Sequence, residues 1–180
     1  MIIGDGVRLR GIDQGDLPLF VRWLNDPEVR QYLALYAPQS NAQEEKWFEN
    51  LEKLSIAEQP LMMEVWHDQK WKAIGDISFV AVDQQARNAE VGLFIGEKEF
   101  WGKGIGTQTL ALMLDYGFFT LNFHRIYLRV YALNVRGIHC YEKVGFKHEG
   151  KMREAAYLDG EYIDILWMGI LKDEWKRKGS

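Results

Sequence analysis

A short apolar run that breaks into closely spaced glycines and then resumes at helical spacing constrains this chain more than any other feature. Residues 90–107 read EVGLFIGEKEFWGKGIGT. Val91 to Ile95 reads as a strand, the connector carries Gly96, Gly102, Gly104 and Gly106, and a helical pattern begins at Gly106 and Thr107. Without Cβ atoms, glycines let successive main-chain amides crowd around one point. The N-terminus of the following helix adds unpaired N–H groups and the positive end of its dipole. Such a strand, loop and helix can cradle phosphate oxygens. The same residues also fit a tight glycine turn that holds nothing.

The rest of the chain supplies a sheet for this unit. Residues 7–12 alternate apolar side chains with arginines, as in a strand with Val7 and Leu9 inward. Asp16 is placed to cap a helix with Leu17, Phe20, Val21 and Leu24 on one face, and Asp26 before Pro27 starts a second turn. Ser40 and Gln43 have capping-box spacing ahead of Trp47, Phe48, Leu51 and Leu54. Residues 61–66 and 72–82 read as paired strands joined by a polar turn. The helix after the glycines is expected to run to about residue 121 along Leu110, Leu114, Phe118 and Leu121, with Gly117 permitting close packing. Residues 125–131 form the next strand, and residues 135–144 a helix ending at a left-handed Gly145. From Phe146 onward, Asp159 and Gly160 mark a hairpin whose return strand passes Trp167 and Ile170. This order of elements predicts an α/β fold, a mixed sheet flanked by helices.

Composition narrows the class. At 180 residues and 47% apolar the chain suffices for one domain, and its net charge of -4 argues against nucleic-acid binding. No run approaches the roughly 20 apolar residues that span a bilayer. The opening residues do not resemble a secretory signal, and the lone Cys140 can form no internal disulfide, so a cytoplasmic protein is the expectation. His67, His124, His139 and His148 lack metal-ligand spacing, so no metal is expected.

Three segments taken in order, VRLRGIDQGDLPLFVRWLNDPEV, AEVGLFIGEKEFWGKGIGTQ and NVRGIHCYEKVGFKHEGKMREAAYLDGEY, resemble the Gcn5-related N-acetyltransferase (GNAT) superfamily. The likeness points to the branch of ribosomal-protein N-terminal and spermidine acetyltransferases. It covers nearly the whole chain, with residues 1–171 as the N-acetyltransferase domain and 172–180 as a charged C-terminal tail that frays. The family loop Arg/Gln-x-x-Gly-x-Gly/Ala falls on Trp101, Gly102, Lys103, Gly104, Ile105 and Gly106, with Trp101 at the position of Arg or Gln.

The resemblance implies a single-domain GNAT fold whose mixed sheet is splayed, through a bulge, between the fourth strand, ending near Ile95, and the fifth, ending near Tyr131. It implies acetyl-CoA as cosubstrate. The pyrophosphate would lie on the amides of Lys103, Gly104, Ile105, Gly106 and Thr107, beside Trp101 and Gly102, and the pantetheine arm in the splay. The thioester would reach Leu93, Phe94 and Ile95, where a main-chain N–H can polarise its carbonyl. The family pattern Asn-x-x-Ser/Ala-x-x-x-Tyr-Glu-Lys-x-Gly-Phe is met by Asn134, Tyr141, Glu142, Lys143, Gly145 and Phe146, with Gly137 at the small-residue position. In that frame Tyr141 is the acid to the coenzyme sulfur. Asn134 contacts cofactor or water, or caps the helix, and Arg136 and Lys143 meet the outer phosphates or face solvent.

An amine attacks only when neutral, so acetyl transfer needs a proton acceptor as well. Glu90, just before the thioester-facing strand, is the first candidate, directly or through water; Asp76 and Asp164 are alternatives for positioning the amine. Cys140 reads as a packed thiol. The function expected is direct transfer of acetyl from acetyl-CoA to a primary amine in a ternary complex. A protein N-terminus is favoured as acceptor over a polyamine or aminoglycoside, with residues 32–47 and 152–162 selecting it. A noncatalytic acyl-CoA-binding sensor and a cofactor-free interaction module are the readings from other classes. No nucleic-acid or membrane partner is expected, and the aromatics and terminal hairpin could support a homodimer.

Overall fold

The computed structural model describes residues 1–176. Its strands are β1 (Ile2–Ile3), β2 (Val7–Gly11), β3 (Leu61–His67), β4 (Lys70–Asp83), β5 (Asn88–Ile95), β6 (Arg125–Tyr131), β7 (Lys147–Leu158) and β8 (Glu161–Leu171). The helices are α1 (Leu17–Leu24), α2 (Pro27–Arg30), α3 (Asn41–Leu51), α4 (Ile105–Asp115) and α5 (Val135–Val144). All eight strands join one sheet in the order β1-β2-β3-β4-β5-β6-β8-β7. The single parallel pair is β5 with β6, as the crossover through the glycine loop and α4 requires.

That pair is held only at its start. Asn88, Ala89 and Glu90 lie opposite Arg125, Ile126 and Tyr127, and beyond Glu90 the two strands share no partners. The splay expected between the strands ending at Ile95 and Tyr131 is therefore present; the added β1 makes them fifth and sixth in chain order. The bulge lies elsewhere. From Gly75 opposite Ile95 to Val80 opposite Glu90 the register of β4 with β5 is unbroken, and the shift falls between Val80 and Asp83. Ala81 there adopts φ +49°, so the extra residue belongs to β4 rather than β5.

Strand alternation sends side chains to two clusters. On one face Leu110, Met113, Leu114 and Phe118 pack with Phe79, Phe123 and Ile126. The helix expected to run to residue 121 instead widens at Tyr116–Thr120 into a π turn, which seats Gly117 where a Cβ would come within 2.7 Å of both Phe79 and Ile126. On the other face Phe20, Trp23, Val29 and Met62 gather Trp47, Phe94 and Trp101 around them. The buried residues of α1 are Leu17, Phe20 and Trp23, so Trp23 takes the place expected of Val21 and Leu24.

Local signals mostly act as expected. Ser40 and Gln43 close a reciprocal box at the start of α3, and Asp26 caps α2. Asp159 and Gly160 turn the β7–β8 hairpin with φ +48° and +91°. Asp16 departs from its expected role, because its carboxylate accepts from both terminal nitrogens of Arg10 and from the Asp13 amide rather than capping α1. Glu64, one of the acids of the strand-rich middle, is buried beneath Arg8 and Arg10 as a structural ion network. The stretch expected as a tail begins with a short turn, Lys172–Glu174, and Trp175 donates to Asp115 Oδ1 at 2.8 Å; residues 177–180 lie outside the described residues. Among the described residues no helix is long and apolar enough to cross a membrane.

Gly96, where β5 leaves the sheet, packs directly on Trp23. A Cβ there would stand 2.1 Å from the indole Cγ. Gly96→Ala is expected to cost about 1–3 kcal/mol through overpacking. At about 2–4 °C per kcal/mol this would appear as a drop of several degrees in a thermal melt; an unchanged midpoint would show that the indole moves aside freely.

Candidate active site

A cavity of about 770 Å³ passes through the sheet where β5 and β6 part, lined from both faces. One half is built by the glycine loop, β5 and α5. Gly102 and Gly104 take φ +71° and +79°, left-handed values that a side chain would strain, and Gly104 stands at the N-cap of α4. The amides of Ile105, Gly106 and Thr107 thus occupy the first turn of α4, where no helical carbonyl is available to them. Trp101, Gly102, Gly104, Ile105, Gly106 and Thr107 all border the cavity. Lys103 does not; its Nζ sits 5.5 Å from the centre of the Phe100 ring.

Trp101 explains how the loop tolerates an indole. Its Nε1 donates to the Ile95 carbonyl at 2.7 Å, and the Arg136 guanidinium lies 3.9 Å above the ring centre. The end of β5, the loop and the start of α5 are tied together across the mouth. The bond also shows that the Ile95 carbonyl turns away from β4. Alternation then turns the main-chain groups of Leu93 the same way, into the gap left by β6. Leu93, Phe94 and Ile95 all border the cavity.

On α5, Asn134 is the cap: its Oδ1 accepts from the Gly137 amide at 3.0 Å. A Cβ on Gly137 would fall 2.7 Å from Asn134 Nδ2, so glycine leaves room for the cap. Asn134, Arg136, Tyr141 and Lys143 border the cavity. The Tyr141 ring packs edge-on to Phe146 at 6.1 Å. Burial, and then the neighbouring Cys140, raise its phenol well above the ordinary range, so it keeps its proton at neutral pH. Burial likewise raises the Cys140 thiol, although a contact with Thr107 Oγ1 at 3.4 Å opposes the shift.

The other half opens on the face of Glu90, Gly92 and Phe94. Glu90 is buried, and its Oε1 accepts from Arg129 Nε at 2.8 Å. Asp76, opposite Phe94 on β4, also borders the cavity. Burial and repulsion from Glu44 push its pKa up to about 7. Glu44, buried in the first turn of α3, is raised by burial as well. Neither acid has a cationic or hydrogen-bonding side-chain partner among the described residues. Asp164 is engaged elsewhere: it accepts from the Glu154 amide at 2.9 Å and pairs with Lys151 at 2.8 Å, holding the irregular stretch of β7. Tyr32, Leu33 and Tyr36 close this half from the α2–α3 loop, Ala155 and Ala156 from β7. Burial, and then the nearby Tyr36 hydroxyl, raise the Tyr131 phenol at the end of β6.

The family model for the GNAT acetyltransferase domain matches residues 7–147. The chain belongs to the GNAT acetyltransferases. It is 30% identical to spermidine N(1)-acetyltransferase of Vibrio cholerae serotype O1 over 172 residues, 96% of each chain. The crystal structure of the V. cholerae spermidine N-acetyltransferase with CoA and spermine superposes with a TM-score of 0.85 at 30% identity, covering 95% of this chain and 98% of that one. YdaF of Bacillus subtilis (strain 168), provisionally named a ribosomal N-acetyltransferase, is 36% identical but matches 57% of this chain and 55% of its own.

GNAT membership makes the protein an acetyl-CoA-dependent N-acetyltransferase, and the glycine loop, the splay and α5 supply donors and space suited to that cosubstrate. The comparisons favour the polyamine alternative over the protein N-terminus: spermidine acetyltransferases match nearly end to end, YdaF over little more than half. Sequence reasoning gave no site role to Arg129 or Tyr131, and reached Tyr36 and Glu44 only as members of the 32–47 stretch. For Glu44 a signal existed: it shares the inward line of α3 with Trp47 and Leu51, where an acid is costly unless used.

Proposed function

We propose that this acetyltransferase acts on a primary amine of a small cationic acceptor of the polyamine class. One observation carries the reading: the acceptor half of the cavity presents Asp76, a carboxylate with no cationic side-chain partner among the described residues, raised by burial and by the charge of Glu44 nearby. An alkylammonium entering there supplies the missing charge. The opposite half carries Arg136 and Lys143, suited to phosphates, so the two ends of the cavity call for ligands of opposite sign. The full-length likeness to spermidine acetyltransferases supports the same acceptor class.

In this reading acetyl-CoA brings an activated acyl group, and the chain's own residues do the rest. Residues 102–107 hold phosphate, Leu93 and Ile95 present main-chain donors in the splay, and Tyr141 is the acid beside the leaving sulfur. Asp76 rather than Glu90 takes the ammonium proton, because its affinity for a proton is poised near neutrality whereas Arg129 occupies Glu90. Direct attack in a ternary complex needs no acylated residue, and Cys140 remains a packed thiol. Tyr157 and Tyr162, half or more exposed on the terminal hairpin, keep a homodimer among the proposals, and light scattering would measure it.

Thiol release from acetyl-CoA, followed against spermidine, spermine, an aminoglycoside and peptides with free N-termini, tests the acceptor class. Release is expected at least tenfold faster in kcat/KM with the polyamines than with the peptides. Equal or faster release with peptide N-termini would overturn the reading.

A further inference from the structure

The acceptor half of the cavity contains two anionic positions on one face of the sheet, and only one of them is free. Asp76 lies opposite Phe94, and Glu90 precedes Phe94 by four residues along β5. At the rise of an extended strand their backbones are roughly 13 Å apart along the strand direction. That separation is comparable to the span between the outer nitrogens of an extended triamine. Such an acceptor could place one ammonium at Asp76 and another at Glu90.

Arg129 stands in the way. Its Nε donates to Glu90 Oε1 at 2.8 Å, and its guanidinium lies 5.7 Å from the centre of the Trp167 ring. Trp167 is itself fixed, stacked on Tyr127 with 5.3 Å between ring centres and donating to Met152 Sδ at 2.9 Å. Arg129 is permanently charged. Its side chain is 50% exposed against 11% for Glu90, so the cation sits at the rim and the carboxylate beneath it.

We propose that Arg129 is a specificity-determining residue that withholds Glu90 from the acceptor, so that the cavity selects on one ammonium at Asp76 and gains little from a second. This inference rests on the amine-acceptor reading above and adds to it the residue that sets preference by acceptor charge.

Acetyl transfer by the parent and by Arg129→Gln should be compared across butylamine, 1,4-diaminobutane and spermidine, which share a primary alkylamine and differ in the number of further charges. The ratio of kcat/KM for spermidine to that for butylamine is expected to rise about tenfold in Arg129→Gln, through a lower KM for spermidine, as one new charge-assisted contact would give. The double variant Arg129→Gln with Glu90→Gln is expected to lose that gain, which a merely structural effect of Arg129 would not do. Thermal melts would confirm that the variants fold. A ratio unchanged, or lowered, in a folded Arg129→Gln protein that still acetylates the amines would overturn the role of Arg129 alone. Failure of the parent to acetylate any of the three, while it acetylates peptide N-termini, would overturn both this inference and the acceptor reading beneath it.

Discussion

Tyr141→Phe is expected to lower kcat at least 100-fold while the protein melts within a few degrees of the parent. The expectation follows from where the hydroxyl is and what holds the ring. Packing against Phe146 fixes the ring, and phenylalanine keeps that contact. No described residue hydrogen-bonds the Tyr141 hydroxyl, and no buried side-chain oxygen or nitrogen in the described chain lacks a partner. The hydroxyl must therefore open to the cavity, and deleting it breaks no internal bond. Its raised pKa keeps the proton in place at neutral pH, as an acid to a departing thiolate requires. Positioned acid catalysis typically contributes 10²–10⁴-fold, which sets the size of the loss. Rapid-quench measurement of the chemical step would separate it from product release; an unchanged rate there would mean that the sulfur takes its proton from solvent.

What could be read from the chain follows the range of the interactions involved. The Ser40 and Gln43 box, the Asp159 and Gly160 hairpin, the Asn134 cap and the left-handed glycines of the loop are decided by near neighbours, and each was visible as a short pattern. Asp16 carried the right local signal, but Arg10, six residues earlier near the end of β2, competed for its carboxylate and won. The end of pairing at Glu90 has no local marker. Val91 to Ile95 is an apolar run like any buried paired strand, and only the family likeness announced the splay. The same limit left unread how the acceptor-half residues pair with one another. Asp76 feels the charge of Glu44 across 32 residues of sequence, and Arg129 meets Glu90 because of the register of the parallel pair. The family motifs describe the cofactor half, which is why they gave no sound guidance on the acceptor.

Asp76→Asn is expected to make the protein slower and more stable at once, and the two effects should share one pH dependence. For activity, the acceptor's proton must pass to an unprotonated Asp76. The parent's kcat/KM should accordingly rise with pH through about 7, and the variant should lose this limb together with about 10–100-fold in rate at pH 8. Glu90→Gln should keep the limb, because Arg129 already holds that carboxylate. Glu44→Gln should move it to lower pH, because the repulsion that helps to raise Asp76 is gone.

For stability the sign is the reverse of a salt-bridged acid. A carboxyl whose folded pKa is raised above its unfolded value binds an extra proton in the folded state between the two values. Folding therefore loses stability as pH climbs from about 4 to about 7, and the full cost stands above that. Allowing for water in the cavity, that cost is about 1–3 kcal/mol. Asparagine removes it, so the variant should melt several degrees above the parent at pH 8 and level with it near pH 4. A gap of the same size at both pH values would mean that Asp76 does not ionise in this window, and the proposed proton acceptor would have to be sought elsewhere in the cavity.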